Sequence, residues 1–329
     1  MTDAAGRLGP GDGESSIMNR RDFLAHAAGA AAALGLPAAA AAQAPSGRPA
    51  VQKHRFRLKY APHFGMFRHA AGGDLLDQLR FMADAGFTAF EDNGLMQRPV
   101  DVQEAIGRTL DELGMTMGVF VIDAGDNWKT SLTTGKPEFR ERFVEACRKA
   151  VDVAKRVNAR WATVVPGFYE RNLPIGLQTG HVIDALKAGA EVLEPHNLTM
   201  VLEPLSDTPD LFLRHSDQAY AICRAVGSPS CKILFDMYHM QRNEGRIIEH
   251  IDWVWDEIGY FQIGDVPGRK EPGTGEMNYR NIFRHIHRRM QETGRDFVFG
   301  MEHGNFGPGL EGELALIEAY KAADSWPED

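Results

Sequence analysis

Positive charge is in short supply in this chain. Its 329 residues hold 36 lysines and arginines against 45 aspartates and glutamates, a formal net charge of −9. The basic surface that displaces counterions from a nucleic acid is therefore missing. Cysteine is scarcer still. Cys147, Cys223 and Cys231 are the only three, and none has ligand-type spacing with a histidine, so neither a disulfide framework nor a thiolate metal site is expected. Cys147 falls within a helical pattern and should pack in the core; a bridge between Cys223 and Cys231 is not expected. No G-x-G-x-x-G follows the first strand pattern, which counts against the open doubly wound sheet of dinucleotide-binding proteins. What remains is ordinary globular composition, 43% hydrophobic and 25% charged, which excludes disorder and collagen-like repetition. The length allows one large domain or two small ones.

The first 44 residues read as an address rather than as fold. Arg20 and Arg21 form a twin-arginine pair followed by Phe23 and Leu24, and the run from Ala25 to Ala44 is almost entirely Ala, Gly and Leu. A basic start, a mildly apolar middle and small residues at the end make a twin-arginine export signal, cut near Ala42 or Ala44. The run is too weakly hydrophobic for stable membrane insertion. Met18, just ahead of the arginines, is an alternative start that would leave residues 1–17 as a misplaced extension. The twin-arginine export machinery is then a partner, and the mature protein is expected in the periplasm. This route normally carries folded proteins with any cofactor already loaded, which fits a metal.

After a short lead-in over 45–56, strand and helix patterns alternate to the end. Strands are predicted at 57–62, 87–91, 115–122, 160–165, 198–203, 231–236, 258–264 and 296–302. Helices are predicted at 74–86, 101–114, 137–158, 178–196, 215–226, 243–257, 278–293 and 311–323. Several of these helices meet a glycine just past their last apolar turn, at Gly86, Gly114 and Gly294. Eight strands and eight helices in alternation predict a single α/β domain over 57–329, a (β/α)8 TIM barrel.

Four late strands end in a group able to bind a hard metal: Glu203, Asp236, Gln262 and Glu302. They are 33, 26 and 40 residues apart, an average close to the roughly 31 residues of one βα unit. Side chains alternate along a strand, so if these four point inward they converge at the C-terminal mouth, where such barrels place their chemistry. Three carboxylates at close range repel one another unless a cation lies among them. An all-oxygen set favours one divalent ion, Mg2+ or Mn2+, over zinc.

The segments LEPLSD (202–207), DMYHMQRNEG (236–245), FQIGDVPGRKEPGTGEMNY (261–279) and FGMEHG (299–304) resemble the hydroxypyruvate isomerase family, within the wider group of xylose isomerase-like barrels. The resemblance is densest from Leu202 to Glu302; before residue 200 it rests on strand order and on AGDNW (124–128). It implies Glu203, Asp236, Gln262 and Glu302 as metal ligands and Glu203 and Glu302 as the proton-transfer pair. It further implies His239 and Arg269 as contacts to substrate oxygens. The implied activity is aldose–ketose isomerisation of hydroxypyruvate or a related hydroxy-carbonyl compound through an enediolate. A ketose epimerase or dehydratase using the same glutamates is the alternative. An exported barrel that binds sugar without turnover belongs to a different class. A phosphate-ester nuclease fits poorly, since its metals recruit many histidines.

Lesser candidates surround this set. His63 and Glu91 end the first and second strands, and each either lines the mouth or anchors a loop. Glu271, like Glu276, either braces Arg269 at the substrate or closes its loop by hydrogen bonding. Asp126 and Trp128 are placed to cover the substrate. Phe64, Met66 and Phe67 form either an apolar lid or ordinary packing. Two positions depart from the family pattern: His303, Gly304 and Asn305 replace a Tyr and a Lys-Pro pair, and Tyr260 replaces a His. Both point to a different preferred small-molecule substrate. A homo-oligomer is left open.

Overall fold

The eight expected strands are all present, shorter than the sequence pattern suggests. They are β1 (Lys59–Ala61), β2 (Ala89–Phe90), β3 (Thr116–Met117), β4 (Trp161–Val164), β5 (Thr199–Leu202), β6 (Cys231–Asp236), β7 (Ile258–Gln262) and β8 (Val298–Gly300). The structure is a computed structural model that describes residue 49 and residues 51–327. The export signal, with Arg20, Arg21 and the candidate start Met18, lies outside the described residues. Six strands form one parallel sheet in the order β1-β8-β7-β6-β5-β4, and β2 and β3 pair as a second. Isolated parallel bridges join the two, His63 with Glu91 on one side and Val121 with Thr163 on the other. The ring of strands is thereby closed, as in a (β/α)8 barrel.

Helices run between the strands: α1 (Leu75–Ala85), α2 (Val100–Leu113), α3 (Pro137–Val157), α4 (Ile175–Leu193) and α5 (Ser216–Val226) precede β6. Gly86 and Gly114 close α1 and α2 at φ +106° and +65°, left-handed values that cost glycine little. The helix predicted over 243–257 begins later, and an unpredicted helix precedes it: α6 (Met237–Asn243) comes first, then α7 (Ile247–Val254) with a 3-10 turn at Trp255–Glu257. Gly245 and Arg246 both have positive φ, so the chain cannot run through them as one helix. α6 starts directly after β6 because the Asp236 carboxylate accepts from the Tyr238 and His239 N–H groups, an N-cap the hydrophobic pattern does not reveal. α8 (Tyr279–Thr293) and α9 (Gly309–Ala323) complete the set. Among the described residues no helix is long and apolar enough to cross a membrane.

A large apolar core lies between strands and helices. A smaller one fills the barrel itself, with Ala61, Ala89, Val119, Val201, Leu234, Tyr260 and Val298 turned inward. Cys147, Cys223 and Cys231 are buried and free, so no bridge joins the last two. Met66 and Phe67 are core residues, and Phe67 packs on Phe81 and Phe87; the packing alternative holds for both, not the lid.

The long segment after β7 is folded by one carboxylate. Asp265, itself buried, accepts from the N–H groups of Gly273 (2.9 Å), Gly275 (3.0 Å) and Met277 (3.0 Å). Gly275 must be glycine, since a Cβ there would lie 2.0 Å from the Val266 carbonyl oxygen. The backbone of Asp265 also pairs with that of Lys270 and Arg269, which brings Arg269 back over the barrel mouth. Replacing Asp265 with Ala removes the acceptor of three loop N–H groups, each hydrogen bond contributing about 1 kcal/mol. The amides of Gly273, Gly275 and Met277 should then exchange with deuterium at least about tenfold faster, with Asp265→Asn intermediate. Unchanged protection in the Ala variant would show that the loop is held by other contacts.

Candidate active site

The ends of β5 to β8 carry the four expected groups to one place. Asp236 and Gln262 are register partners on β6 and β7, and Gln262 is in turn level with Gly300 on β8. Glu302 lies two residues beyond Gly300 and shares its face, while Glu203 follows β5 directly. Glu203, Asp236, His239 and Glu302 each offer a ligand atom, and these atoms all lie within 4.8 Å of one another. Gln262 is buried beside them, and its Oε1 has no hydrogen-bond partner.

Arg269 enters this ring from the loop. Its Nη2 lies 2.7 Å from Glu302 Oε2 and 3.3 Å from Asp236 Oδ2, and its Nε donates to the Glu302 carbonyl oxygen at 3.1 Å. The guanidinium also sits 4.9 Å above the Tyr238 ring. Its backbone has φ +50°, a conformation that residues with a Cβ seldom take. Burial works against the charge of Arg269, but Glu302, Asp236, Asp207 and Glu203 outweigh it and raise its pKa.

The carboxylates are not equivalent. Glu302 is held by two donors, Arg269 on Oε2 and Asn93 Nδ2 on Oε1 at 2.8 Å. Asn93 follows β2 and was not foreseen as a site residue. Glu203 receives no hydrogen bond from a described residue. Burial, then the charges of Glu302 and Asp236, push its pKa well above the usual carboxylate range, with Arg269 opposing. Burial likewise raises Asp236, to about 7, although Arg269 and the two N-cap N–H groups favour its charged form.

His239 faces the ring as a donor. Its Nδ1 accepts from the Ser206 backbone N–H at 3.2 Å, with the Ser206 hydroxyl at 2.8 Å. Burial, reinforced by Arg269 and Arg242, lowers its pKa far below the usual value. The neutral ring therefore carries its hydrogen on Nε2. That atom is unpartnered and lies 3.5 Å from Asp236, 3.8 Å from Asp207 and 3.9 Å from Glu203. A protonated Nε2 is not a metal ligand. The donors able to hold a cation are the three carboxylates together with the free oxygen of Gln262, an all-oxygen set suited to a hard divalent ion.

Other sequence candidates stand outside this ring. His63 has both ring nitrogens on backbone carbonyls, Nδ1 at 2.9 Å from Phe64 and Nε2 at 3.2 Å from His303, so it ties β1 to the segment after β8. Glu271 accepts from the Phe306 N–H at 2.8 Å and so closes the loop; it makes no ion pair with Arg269. Glu276 meets Gln241 at 3.4 Å. Asp126 pairs with Arg142 at 3.0 Å, and Trp128 packs against the small cluster of Val165, Leu205 and Leu211. Phe64 is covered by Arg98, 4.9 Å from its ring centre. Glu91 enters the barrel interior beneath the ring, where it accepts from the Tyr260 hydroxyl at 3.0 Å. Burial and repulsion from Glu302 raise its pKa well above normal.

This geometry has relatives. Hydroxypyruvate isomerase of Escherichia coli is 32% identical over 166 residues, 50% of this chain, and the matched stretch spans 62% of that protein's length. The 2-oxo-tetronate isomerase of Cupriavidus necator is 28% identical over 198 residues, covering 59% of this chain and 74% of that protein. Among solved structures, AP endonuclease, family 2, from Brucella melitensis superposes with a TM-score of 0.67 at 23% identity, over 80% of this chain and 99% of that one; at that identity the likeness concerns the fold alone. The family model described as the xylose isomerase-like TIM barrel matches residues 79–321, and the chain belongs to that family.

Proposed function

We propose that this barrel is a metal-dependent isomerase of short hydroxy-carbonyl compounds, of the hydroxypyruvate type. The observation that carries the reading is the ring itself: three carboxylates and an unpartnered amide oxygen at the ends of four successive strands, with one guanidinium among them. The two relatives support it, since hydroxypyruvate and a 2-oxo-tetronate are both short acids with a carbonyl beside a hydroxyl-bearing carbon. Glu203, Asp236, Gln262 and Glu302 would hold one divalent cation, Mg2+ or Mn2+. The chemistry such an ion supplies when bound is Lewis-acid polarisation of a carbonyl oxygen.

The chain's own residues divide the remaining work. Glu302, held in place by Asn93 and Arg269, removes the proton from the carbon that bears the hydroxyl. Glu203, which no described donor restrains, gives its proton to the neighbouring carbonyl carbon, and the hydroxyl proton passes to the former carbonyl oxygen, so the substrate keeps its formula while the two glutamates exchange protonation. The Nε2–H of His239 donates to a substrate oxygen. Arg269 offers a planar pair of donors suited to a substrate carboxylate, which a lysine would hold less well. The twin-arginine pair supports a periplasmic place of action.

Glu203→Gln and Glu302→Gln should each lower turnover at least about a hundredfold, the scale of losing a general acid–base group. Near-normal rates in both would end the proposed mechanism. Incubation with hydroxypyruvate in deuterium oxide should yield the aldose isomer labelled at the original carbonyl carbon. Label with inverted configuration and no isomer, on a ketose instead, would identify an epimerase.

Removing divalent ions with a chelator should abolish activity, and Mg2+ or Mn2+ should restore it. The pH dependence of stability gives a second test. A carboxyl at about 7 in the folded protein against about 3.9 unfolded means that the folded state holds the extra proton between those values. Stability of the metal-free protein therefore falls as pH rises through that window, and the loss persists above it. Its Tm should be lower at pH 8 than at pH 5, Asp236→Asn should flatten the difference, and Mn2+ should raise Tm most at pH 8. A Tm indifferent to Mn2+ at pH 8 would remove the cation from the site.

A further inference from the structure

A fourth carboxyl group sits deeper than the mechanism needs. Glu91 follows β2 and is 1% exposed, inside a barrel whose interior holds the apolar cluster of Ala61, Ala89, Val119, Val201, Leu234, Tyr260 and Val298. No lysine, arginine or histidine pairs with it among the described residues. Its Oε2 accepts from the Tyr260 hydroxyl at 3.0 Å and from Gln262 Nε2 at 3.5 Å. The room for this pair comes from two glycines. A Cβ at Gly300 would lie 2.0 Å from Glu91 Oε2, and one at Gly118 would lie 2.3 Å from the Tyr260 hydroxyl oxygen. Strands β3, β7 and β8 are thus all shaped around a polar pair in a place where an apolar one would pack without desolvation cost.

The consequence falls on Gln262. A side-chain amide has one donating and one accepting end, and which end faces a site is set by what holds the other. Oε2 of Glu91 takes the Nε2 end, so Oε1 is turned away from Glu91; it is buried and has no partner. Gln262 lies level with Asp236 across the sheet. Were the amide reversed, an NH2 group would be presented there and would repel a cation.

We infer that Glu91, with Tyr260 behind it, is a positioning residue that fixes the Gln262 amide so that its oxygen faces the carboxylate ring, and thereby sets the affinity for a divalent cation. This rests on the metal reading above. Groups that orient ligands from behind typically change metal affinity by 10- to 100-fold when removed.

The test is calorimetric titration of the chelator-treated, full protein with Mn2+. Glu91→Leu should weaken binding by about 10- to 100-fold. Glu91→Gln, whose own amide oxygen can accept from both Tyr260 and Gln262, should stay within about threefold of the parent, well short of that range. A parent protein that binds no Mn2+ overturns the metal reading and this inference with it. A parent that binds while Glu91→Leu binds equally well overturns the inference alone, as does an equal loss in Glu91→Leu and Glu91→Gln, which would assign the effect to charge. If Glu91→Leu does not fold, Tyr260→Phe takes its place: it removes one hydroxyl, and should weaken Mn2+ several-fold with an unchanged circular dichroism spectrum. Parent-like affinity in that variant also overturns the inference.

Discussion

Three carboxylates, two buried and one half-buried, cannot share a few ångströms of a barrel mouth in their charged forms without positive charge among them. Much of the mouth of this barrel is arranged around that constraint. Asp236 spends one oxygen on the N-terminus of α6, where backbone N–H groups favour its charge, and turns the other into the ring. Glu302 is flanked by Asn93 and Arg269. Glu203 has neither aid, and burial with the charges of Glu302 and Asp236 raises its pKa well above the usual carboxylate range. The single guanidinium cannot neutralise three anions, and the shortfall is what a divalent cation would supply.

Arg269 shows what the constraint costs elsewhere. To reach Asp236 and Glu302 it takes a left-handed backbone conformation, and the loop that delivers it is folded around the buried Asp265 carboxylate. Four residues of the string PGRKEPGTGE, Arg269, Glu271, Gly273 and Gly275, thus have a structural account. Gly275 gives the close approach to Val266, Gly273 and Gly275 supply N–H groups to Asp265, and Glu271 fastens the loop to Phe306. Electrostatic attraction at the tip and hydrogen bonding at the base offset the strained backbone between them.

Much of this was legible in the sequence. The eight strands follow from alternation of apolar runs with helical periodicity, and the convergence of Glu203, Asp236, Gln262 and Glu302 follows from their spacing at strand ends. Contacts between distant loops were not legible. Asn93 lies in a turn after β2 and meets Glu302 more than two hundred residues later, so no local pattern marks it. Asp265 looks like any loop aspartate until its three N–H donors are seen. The separate helix α6 was not legible because it begins directly after Asp236, the last residue of β6, while Ile247, Ile248 and Ile251 mark only the helix after the turn at Gly245 and Arg246. The signal visible in advance for Asn93 was composition: E-D-N-G directly after a strand gathers polar groups at a barrel mouth.

The two departures from the family pattern now separate. His303 turns away from the ring; its Nε2 meets the Tyr320 hydroxyl at 2.7 Å and its Nδ1 the Gly304 carbonyl at 3.1 Å. Burial drives its pKa down to about 3, so it is a neutral strut between β8 and α9 and adds no charge to the site. Tyr260 is different in kind. It faces the barrel interior, and its hydroxyl is one of the donors to the carboxyl group that also meets Gln262. A residue in the inner layer of a barrel ordinarily contributes only volume. Here volume and polarity act together: the ring of Tyr260 fills the layer, and its hydroxyl donates a hydrogen bond to Glu91 one level below the carboxylate ring. The departure that is linked by hydrogen bonds to a member of the ring is therefore the one hidden in the barrel, not the one beside the last glutamate.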